Sequence, residues 1–582
     1  MMQGKVFRRM VLLSVCAVSR VSSAFQVTSA ATNVVDFGGA CVGGYARFSV
    51  ARRQCAEGRS PVLRIAYATH PDGLGPKGDF CRETAARYLG PDVDLPIWPA
   101  NIDRYETYVL DRDGDYRAPL LQGLVRYAAF SLDTPGCAVE IDGFALTNDC
   151  VHSEGELDGS FRCSDERLNA LWRASVRSCE LSAIPSYLAT NVTPAVRTLP
   201  YLADGAKRDR LVWSGDLWWA ERNVFYGFRT DEPYMRGSLR MLAANRTPEG
   251  YVQACPWPEQ RPPKAGEYGP FPSDEFAAWF VPVLWDYHLY RDDRTLLAET
   301  WPVVRDLIGY LGRHRNADGI FEQRPETSKH AAALVFGDSS CHHRAYMNIL
   351  LWQTYAEAAK IAKTLGHAEE ASRWRREADG LAMTVRRLFW SADRGHFVLS
   401  LEDRSFNFEA NALALANGFA RAGEAARIIP QLVRVDHGKF QALAVRGSFA
   451  CGDAGAAMRL LSAHNWFALV DPAWKGAQLT SECARLIRTG WWDEAHPDTA
   501  VAGILSASVL GIEPVEPGFR KFRFEPHPAG GVTWAEGTVP TPHGPIRASW
   551  RLEGGRLVTK LENPPGTART VDPVADRSSL LR

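Results

Sequence analysis

The chain has 582 residues, of which 46% are hydrophobic and 23% charged, and its 67 basic residues balance its 67 acidic ones. A single apolar core stops growing at roughly 250 to 300 residues, so this length predicts about three domains. A zero formal charge, with no long basic run beyond the first ten residues, argues against a nucleic-acid partner. The 18 Trp and 18 Tyr suit stacking on sugar rings and suit a large helical core equally well.

The first 24 residues have the order of a signal peptide. Three basic residues within the first nine precede an apolar stretch at 10–18, and the small residues Ser22-Ser23-Ala24 follow. Arg20 interrupts that order, so a disordered N-terminal extension is the alternative. We expect a signal peptide at 1–24 and a secreted or periplasmic protein. No later segment reaches the apolar length that spans a bilayer, so no membrane span is expected.

The 12 cysteines are widely spaced and form no Cys-x-x-Cys pair. Structural zinc is therefore not expected, and no other metal site or cofactor is predicted. In an oxidising compartment disulfides could form within one set of cysteines, whose connectivity the sequence leaves open: Cys41, Cys55, Cys81, Cys137 and Cys150.

Residues 25–158 show short alternating runs broken by Gly, Pro and Asp, which predicts a β-sandwich region with strands at 62–67 and 105–110. Two apparent motifs here are set aside. Gly73-Leu74-Gly75-Pro76-Lys77-Gly78 fits a dinucleotide fingerprint, but it lies in a β region and contains a proline. The acidic run that begins at Asp111 resembles a calcium loop, but Tyr116 occupies the glycine position, so we expect a hairpin turn.

The pattern becomes helical at 159–511. Ser164 is the expected N-cap of the first helix. Apolar residues recur at three- and four-residue spacing in several stretches, namely 296–311, 346–365, 368–389, 409–422 and 454–463. Ten or more helices joined by long aromatic and polar loops indicate paired helices that close into an α/α barrel, whose loops form a funnel at one end.

The last residues, 512–582, return to β alternation. Runs at 546–552 and 556–561 flank Glu553-Gly554-Gly555, and Gly-Gly between alternating runs is a strong hairpin signal. The predicted fold is therefore multidomain α + β, with a central (α/α)6 barrel flanked by N-terminal and C-terminal β-sandwich domains.

One segment, 204–216, concentrates chemically active side chains. It contains three aspartates, Asp204, Asp209 and Asp216, together with basic residues and Trp213. Carboxylates bind sugar hydroxyls or transfer protons, and an indole face packs on a sugar ring. The alternative is a capped helix start in which Arg208 and its neighbours merely neutralise the acids.

The segment resembles the Asp-rich signature of the α-L-rhamnosidases of glycoside hydrolase family 78, and the similarity extends over roughly residues 120 to 570. The resemblance implies an inverting glycoside hydrolase that releases terminal α-L-rhamnose from glycosides or polysaccharides. It makes Asp209 the general acid, gives Asp204 and Asp216 to rhamnose hydroxyls, uses Arg208 to orient the carboxylates, and lines the pocket with Trp213.

The general base implied by the resemblance is Glu482, in Gly476-Ala477-Gln478-Leu479-Thr480-Ser481-Glu482, where Ser481 replaces the family's usual Trp. Glu494 is the alternative base. Inversion requires the acid and the base to lie roughly 6.5 to 9.5 Å apart.

Further substrate-binding residues implied by the resemblance are Asp274, Trp279, Asp338 and His496. Two other functions stay open: a barrel of this kind that acts on another sugar, and a catalytically silent carbohydrate-binding protein, which Ser481 favours. The oligomeric state is open.

Overall fold

The computed structural model describes residues 7–11, 18–20, 23–38, 42–56, 58–79, 104–118, 122–147, 157–184, 199–206, 211–255, 266, 272–324, 327, 344–434, 440–463, 465–480 and 499–570. Strands predominate before residue 164 and after residue 511, and helices lie between them. The predicted multidomain α + β architecture is confirmed at this level. None of the described helices is long and apolar enough to cross a bilayer.

The N-terminal β region forms two sheets. Its described strands are β1 (Phe7–Val11), β2 (Val18–Arg20), β3 (Phe25–Thr28), β4 (Thr32–Asp36), β5 (Val42–Gln54), β6 (Val62–Ala68), β7 (Tyr105–Val109), β8 (Gly114–Arg117), β9 (Gln122–Val125), β10 (Tyr127–Leu132) and β11 (Ala138–Thr147). One sheet has the order β1-β4-β10-β6-β7. In the other, β5 lies between β11 and β8 and also pairs with β9, while β2 and β3 both pair with β11.

Alternating apolar side chains from both sheets meet in one core that includes Phe48, Phe130 and Phe144. A disulfide between Cys55 and Cys137 joins the end of β5 to the start of β11, so one pair from the open set of cysteines is connected. The predicted hairpin at Asp111 is wrong, because β7 pairs with β6 and β8 pairs with β5. That turn carries the chain from one sheet to the other.

The described helices are α1 (Glu166–Ser182), α2 (Ser214–Gly227), α3 (Tyr234–Ala244), α4 (Asp274–Arg291), α5 (Arg294–Arg313), α6 (Ala345–Leu365), α7 (Ala368–Phe389), α8 (Phe408–Ala416), α9 (Ala422–Leu432), α10 (Gln441–Ala450), α11 (Ala454–Ala463), α12 (Trp466–Leu469) and α13 (Val501–Ile504), which continues as a π-helix at Leu505–Leu510. Short strand pairs join β13 (Ala183–Ile184) to β14 (Tyr201–Leu202) and β15 (Trp390–Ser391) to β16 (His396–Phe397).

Six of the described helices contact one another in a closed order, which runs α2, α4, α6, α8, α10, α13 and back to α2. These inner helices carry little exposed surface, and every residue of α2 and of α8 is buried. A helix that is buried all round must pack against neighbours on every side. The closed order satisfies that requirement.

The remaining long helices lie outside this ring and have one apolar face each. On α7, for example, the buried residues recur every three or four positions: Trp374, Ala378, Leu381, Val385 and Phe389. This spacing made its boundaries predictable, and α7 begins and ends where the sequence indicated. The same holds for α11, and the bounds of α5 agree with the prediction to within two residues. The bounds of α6, which belongs to the inner ring, also agree to within two residues.

Two predictions about helix boundaries are wrong. The helix expected at 409–422 is two helices, because α8 ends at Ala416, a turn follows in which Gly418 has a φ of 76°, and α9 begins at Ala422. Asp165 rather than Ser164 caps α1, since its carboxylate accepts from the Arg167 backbone N–H at 2.9 Å. The Ser164 hydroxyl instead accepts from the Thr533 N–H at 2.8 Å.

The C-terminal region also forms two sheets. One consists of β17 (Ile512–Pro514), β18 (Lys521–Phe524) and β22 (Ala568–Arg569), and the other of β19 (Trp534–Val539), β20 (Ile546–Glu553) and β21 (Arg556–Glu562). The predicted Gly-Gly hairpin is confirmed, because β20 pairs with β21 in antiparallel register and both Gly554 and Gly555 have positive φ. A strand that precedes α1, β12 (Ser160–Cys163), adds to the second sheet through β19.

Candidate active site

The structure describes five of the residues singled out in the sequence. Asp204 precedes α2, Trp213 and Asp216 lie at its start, and Asp274 and Trp279 lie on α4. The others lie outside the described residues: Arg208, Asp209, Asp338, Glu482, Glu494 and His496.

Asp204 anchors the segment that contains Asp209. Its backbone N–H donates to the Leu211 carbonyl at 2.9 Å, and its carboxylate accepts from the Leu211 N–H at 3.3 Å. Asp204 is buried, with 5% of its surface exposed. The two bonds hold residues 204 and 211 side by side.

Helix α2 begins three residues after Leu211. Trp213 is its N-cap and has extended backbone angles, and Asp216 lies in the first turn. The Ser214 hydroxyl donates to the Phe276 carbonyl at 2.6 Å, which joins the first turn of α2 to the first turn of α4. A carboxylate in the first turn is stabilised by the positive end of the helix dipole. Asp216 lies in this position and is buried, with 8% of its surface exposed.

Asp274 is the first residue of α4, behind the N-cap Ser273, whose hydroxyl accepts from the Phe276 N–H at 3.2 Å. Both oxygens of the Asp274 carboxylate accept hydrogen bonds, one from Tyr310 at 3.0 Å and the other from Thr327 at 2.5 Å. The side chain is fully buried. These contacts tie Asp274 to neighbouring protein groups and fix the start of α4.

Two buried glutamates at the same end of the ring were not predicted as site residues from the sequence. The Glu275 carboxylate accepts from the Tyr346 hydroxyl at 2.9 Å, and Glu409 accepts from the Asn407 side chain at 2.5 Å. Burial raises the pKa of Tyr346 well above its ordinary value, and the charge on Glu275 raises it further. Tyr346 therefore remains a neutral hydrogen-bond donor.

A local signal could have found these two residues. Each glutamate stands two residues after a polar N-cap, Glu275 after Ser273 and Glu409 after Asn407. Asp216 occupies a comparable place in the first turn of α2. An acid in the first turn of a helix that is otherwise apolar and buried is costly unless the helix N-terminus or a ligand compensates it.

Aromatic side chains from the inner helices meet beside these acids. The Trp218 and Trp279 rings are 4.4 Å apart at an angle of 34°, which links α2 to α4. Trp219 contacts Phe440 edge-on at 5.4 Å, and Tyr346 contacts the same ring at 5.8 Å, which links α2 and α6 to the start of α10. Carboxylates and indoles at one end of the ring are the side chains that bind a sugar through its hydroxyls and its ring face.

Comparisons with known proteins agree with this arrangement. Residues 156–441 match the model of the bacterial alpha-L-rhamnosidase 6 hairpin glycosidase domain, and residues 511–579 match that of the bacterial alpha-L-rhamnosidase C-terminal domain. This chain belongs to the α-L-rhamnosidases of glycoside hydrolase family 78. The first match includes α1 to α9 and the second includes the C-terminal β region after residue 511.

Among curated α-L-rhamnosidases, one from Streptomyces avermitilis is 24% identical over 419 residues, which are 65% of this chain and 36% of that protein. One from Formosa agariphila is 28% identical over 74 residues, which are 13% of this chain and 8% of that protein. The chain therefore spans well under half the length of either relative.

Solved α-L-rhamnosidase structures share the fold. The family 78 rhamnosidase of Bacillus sp. GL1 has a TM-score of 0.66 at 17% identity and covers 92% of this chain and 52% of its own. The Klebsiella oxytoca rhamnosidase with rhamnose bound has a TM-score of 0.63 at 16% identity and covers 83% of this chain and 88% of its own. The Streptomyces avermitilis α-L-rhamnosidase complexed with L-rhamnose has a TM-score of 0.61 at 16% identity, and the match covers 92% of this chain and 48% of that protein.

Proposed function

We propose that the protein hydrolyses terminal α-L-rhamnosyl linkages of glycosides or polysaccharides. The observation that carries this proposal is a set of buried carboxylates, Asp204, Asp216, Glu275 and Glu409, that lies with Trp218 and Trp279 at the N-terminal ends of the inner helices in a chain of this family. Two of the structural relatives were solved with rhamnose bound.

The proposed reaction is a single displacement with inversion. Asp209, as a neutral acid, donates its proton to the leaving oxygen while Glu482 removes a proton from the attacking water on the opposite face of the sugar. Glu494 is the alternative base. Asp204 and Asp216 bind rhamnose hydroxyls, and Arg208 orients the carboxylates. Other residues line the pocket, namely Trp213, Asp274, Trp279, Asp338 and His496.

The ring of inner helices supports a finer description of the fold. Six helices in closed contact, with amphipathic helices outside them, correspond to an (α/α)6 barrel, which we propose for residues 159–511. We propose β-sandwich domains for 25–158 and 512–582, because each of these ranges has two sheets.

The Cys55–Cys137 disulfide supports an oxidising destination. We therefore propose that residues 1–24 act as a signal peptide and that the protein is secreted or periplasmic. The two strands within this range, β1 and β2, lie at sheet edges, so cleavage after residue 24 leaves the inner strands paired. N-terminal sequencing of the exported protein tests this proposal, and an intact Met1 contradicts it.

Incubation with p-nitrophenyl α-L-rhamnoside tests the activity. We expect release of p-nitrophenol, and NMR of the first product should detect β-L-rhamnose, the inverted anomer. A panel of other p-nitrophenyl glycosides is the control. Cleavage of another member but not of the rhamnoside would show a different sugar specificity, and binding of L-rhamnose without any cleavage would show a silent binding protein. Either result contradicts the proposal.

A further inference from the structure

A small apolar cluster joins the N-terminal β region to the two segments that carry the proposed catalytic carboxylates. Leu124 of β9 is fully buried and packs with Leu181 at the end of α1, with Ala206, and with Ala477 and Leu479. Ala206 precedes Asp209 by three residues, and Leu479 precedes Glu482 by three residues. This cluster is separate from the main core of the N-terminal β region and from that of the helical region.

Two neighbours of Leu124 bind the backbone of the second segment directly. The Arg126 guanidinium donates to the Gly476 carbonyl at 2.6 Å, and the Tyr127 hydroxyl donates to the Lys475 carbonyl at 3.0 Å. The Asp36 carboxylate accepts from the same guanidinium at 3.3 Å and keeps it in place. The N-terminal β region thus supplies apolar contact and hydrogen bonds to a segment some 350 residues away in the chain.

Helix α1 holds both segments from the other side. The Ser178 hydroxyl accepts from the backbone N–H and the hydroxyl of Thr480, at 3.2 and 2.9 Å. The Ala203 N–H donates to the Ser182 carbonyl at 2.8 Å, just before Asp204. The described parts of the two segments therefore share one support, made of the end of α1 and of residues 124–127.

We propose that Leu124, Arg126 and Tyr127 are positioning residues that set the separation of the segments carrying Asp209 and Glu482. This inference rests on the proposed function. Inversion needs a fixed distance between acid and base so that one water fits between base and sugar. A displacement of about 1 Å in such a site can cost about a hundredfold in rate. Residues 124–127 of the N-terminal β region then affect catalysis through the position of the two segments, as positioning residues and not as catalytic ones.

Two substitutions test this inference, each with a matched control in the N-terminal core. Leu124→Ala removes the centre of the cluster, and Tyr127→Phe removes one hydrogen bond with little loss of packing. Leu146→Ala and Tyr108→Phe make the same chemical changes in the core of the N-terminal sheets, where Leu146 is fully buried and Tyr108 donates to Glu106 at 2.7 Å. Comparison with these controls separates the effect of lost stability from the effect of displacing the two segments.

The first measurement is hydrogen exchange in the full-length protein, which needs no substrate. We expect Leu124→Ala to speed amide exchange in both 203–213 and 471–480, and Leu146→Ala to leave these two segments unchanged. The second is steady-state kinetics on the rhamnoside. We expect kcat to fall about tenfold to a hundredfold in Leu124→Ala and less in Tyr127→Phe, with KM within about twofold of the original protein and the controls unaffected.

Unchanged exchange in either segment overturns the inference, and so does a kcat for Leu124→Ala equal to that of Leu146→Ala. If the original protein cleaves no rhamnoside, the proposed function fails by itself. In that case the exchange experiment still decides whether residues 124–127 hold the two segments together, because its result does not depend on which substrate is cleaved.

Discussion

Gly215 packs directly against the Phe276 ring, and a Cβ at position 215 would overlap that ring. Gly215 is the glycine of Trp213-Ser214-Gly215-Asp216, in the first turn of α2, and Phe276 follows Asp274 and Glu275 on α4. The glycine therefore lets two helix starts approach closely enough for their acids to lie at one site. A close backbone approach of this kind requires a residue without a side chain.

Gly215→Ala should displace Phe276 and the start of α4. We expect a loss of stability of about 1 to 3 kcal/mol, typical of overpacking, and a marked rise in the KM for the rhamnoside, because Asp274 and Glu275 move with the helix. Thermal unfolding and steady-state kinetics measure the two effects. Gly380→Ala on α7 is the control, since a Cβ there meets no atom within 4 Å. It should leave KM unchanged and raise stability by up to about 1 kcal/mol. Equal KM values in the two variants would contradict this account of Gly215.

Asp209→Asn should abolish the cleavage of alkyl rhamnosides, because an amide cannot supply the proton that the leaving oxygen needs. We expect residual turnover only with aryl leaving groups that are stable as anions, and an unchanged affinity for L-rhamnose. Kinetics on a matched pair of alkyl and aryl rhamnosides, with titration calorimetry for binding, measures these effects. Near-normal cleavage of the alkyl substrate by Asp209→Asn would exclude Asp209 as the acid.

Glu482→Gln and Glu494→Gln together identify the base. We expect Glu482→Gln to lose activity on every rhamnoside, whatever its leaving group, since the water must be deprotonated in each case, and Glu494→Gln to keep most of its kcat. Added azide needs no deprotonation, so it should restore turnover to Glu482→Gln and yield the inverted rhamnosyl azide. Loss of activity in Glu494→Gln with azide rescue would reverse the assignment.

The sequence predicted the bounds of α7 better than those of α8. On α7 the buried residues alternate with charged ones, so both ends of the helix are marked in the pattern. On α8 every residue is buried, and no polar face marks where the helix stops. Its end at Ala416 is set by the turn through Gly418, which has a positive φ.

The candidate site was predictable where a local motif carried it and not elsewhere. Asp204, Trp213 and Asp216 lie within 13 residues of one another in the sequence, and the structure keeps them together around the start of α2. Glu275 and Glu409 reach the same end only because α4 and α8 belong to one ring. The contact of Arg126 with Gly476 spans 350 residues, and no periodicity in a single sequence records such a pairing.

Glu232 lies away from the candidate site and couples the stability of the protein to pH. It is buried just before α3, and its carboxylate accepts from the Tyr234 and Met235 N–H groups at 2.8 and 3.1 Å. Burial raises the pKa of Glu232 from 4.5 to about 7, more than the charge of Arg291 lowers it. Between these two values the folded state binds more protons than the unfolded state, so stability falls as pH rises from about 4.5 to about 7 and levels off above.

Glu232→Gln removes this titration and keeps an oxygen that can accept from the two backbone N–H groups. We expect the variant and the original protein to unfold at similar temperatures near pH 4.5, and the variant to be more stable at pH 8 by up to about 3 kcal/mol, the equivalent of the pKa shift. Glu299→Gln is the control of opposite sign, because a hydrogen bond from Arg240 lowers the pKa of Glu299. That variant should lose stability at neutral pH and match the original protein only in acid. Parallel curves of melting temperature against pH for Glu232→Gln and the original protein would contradict this account. They would show that the pKa of Glu232 is the same in the folded and unfolded states.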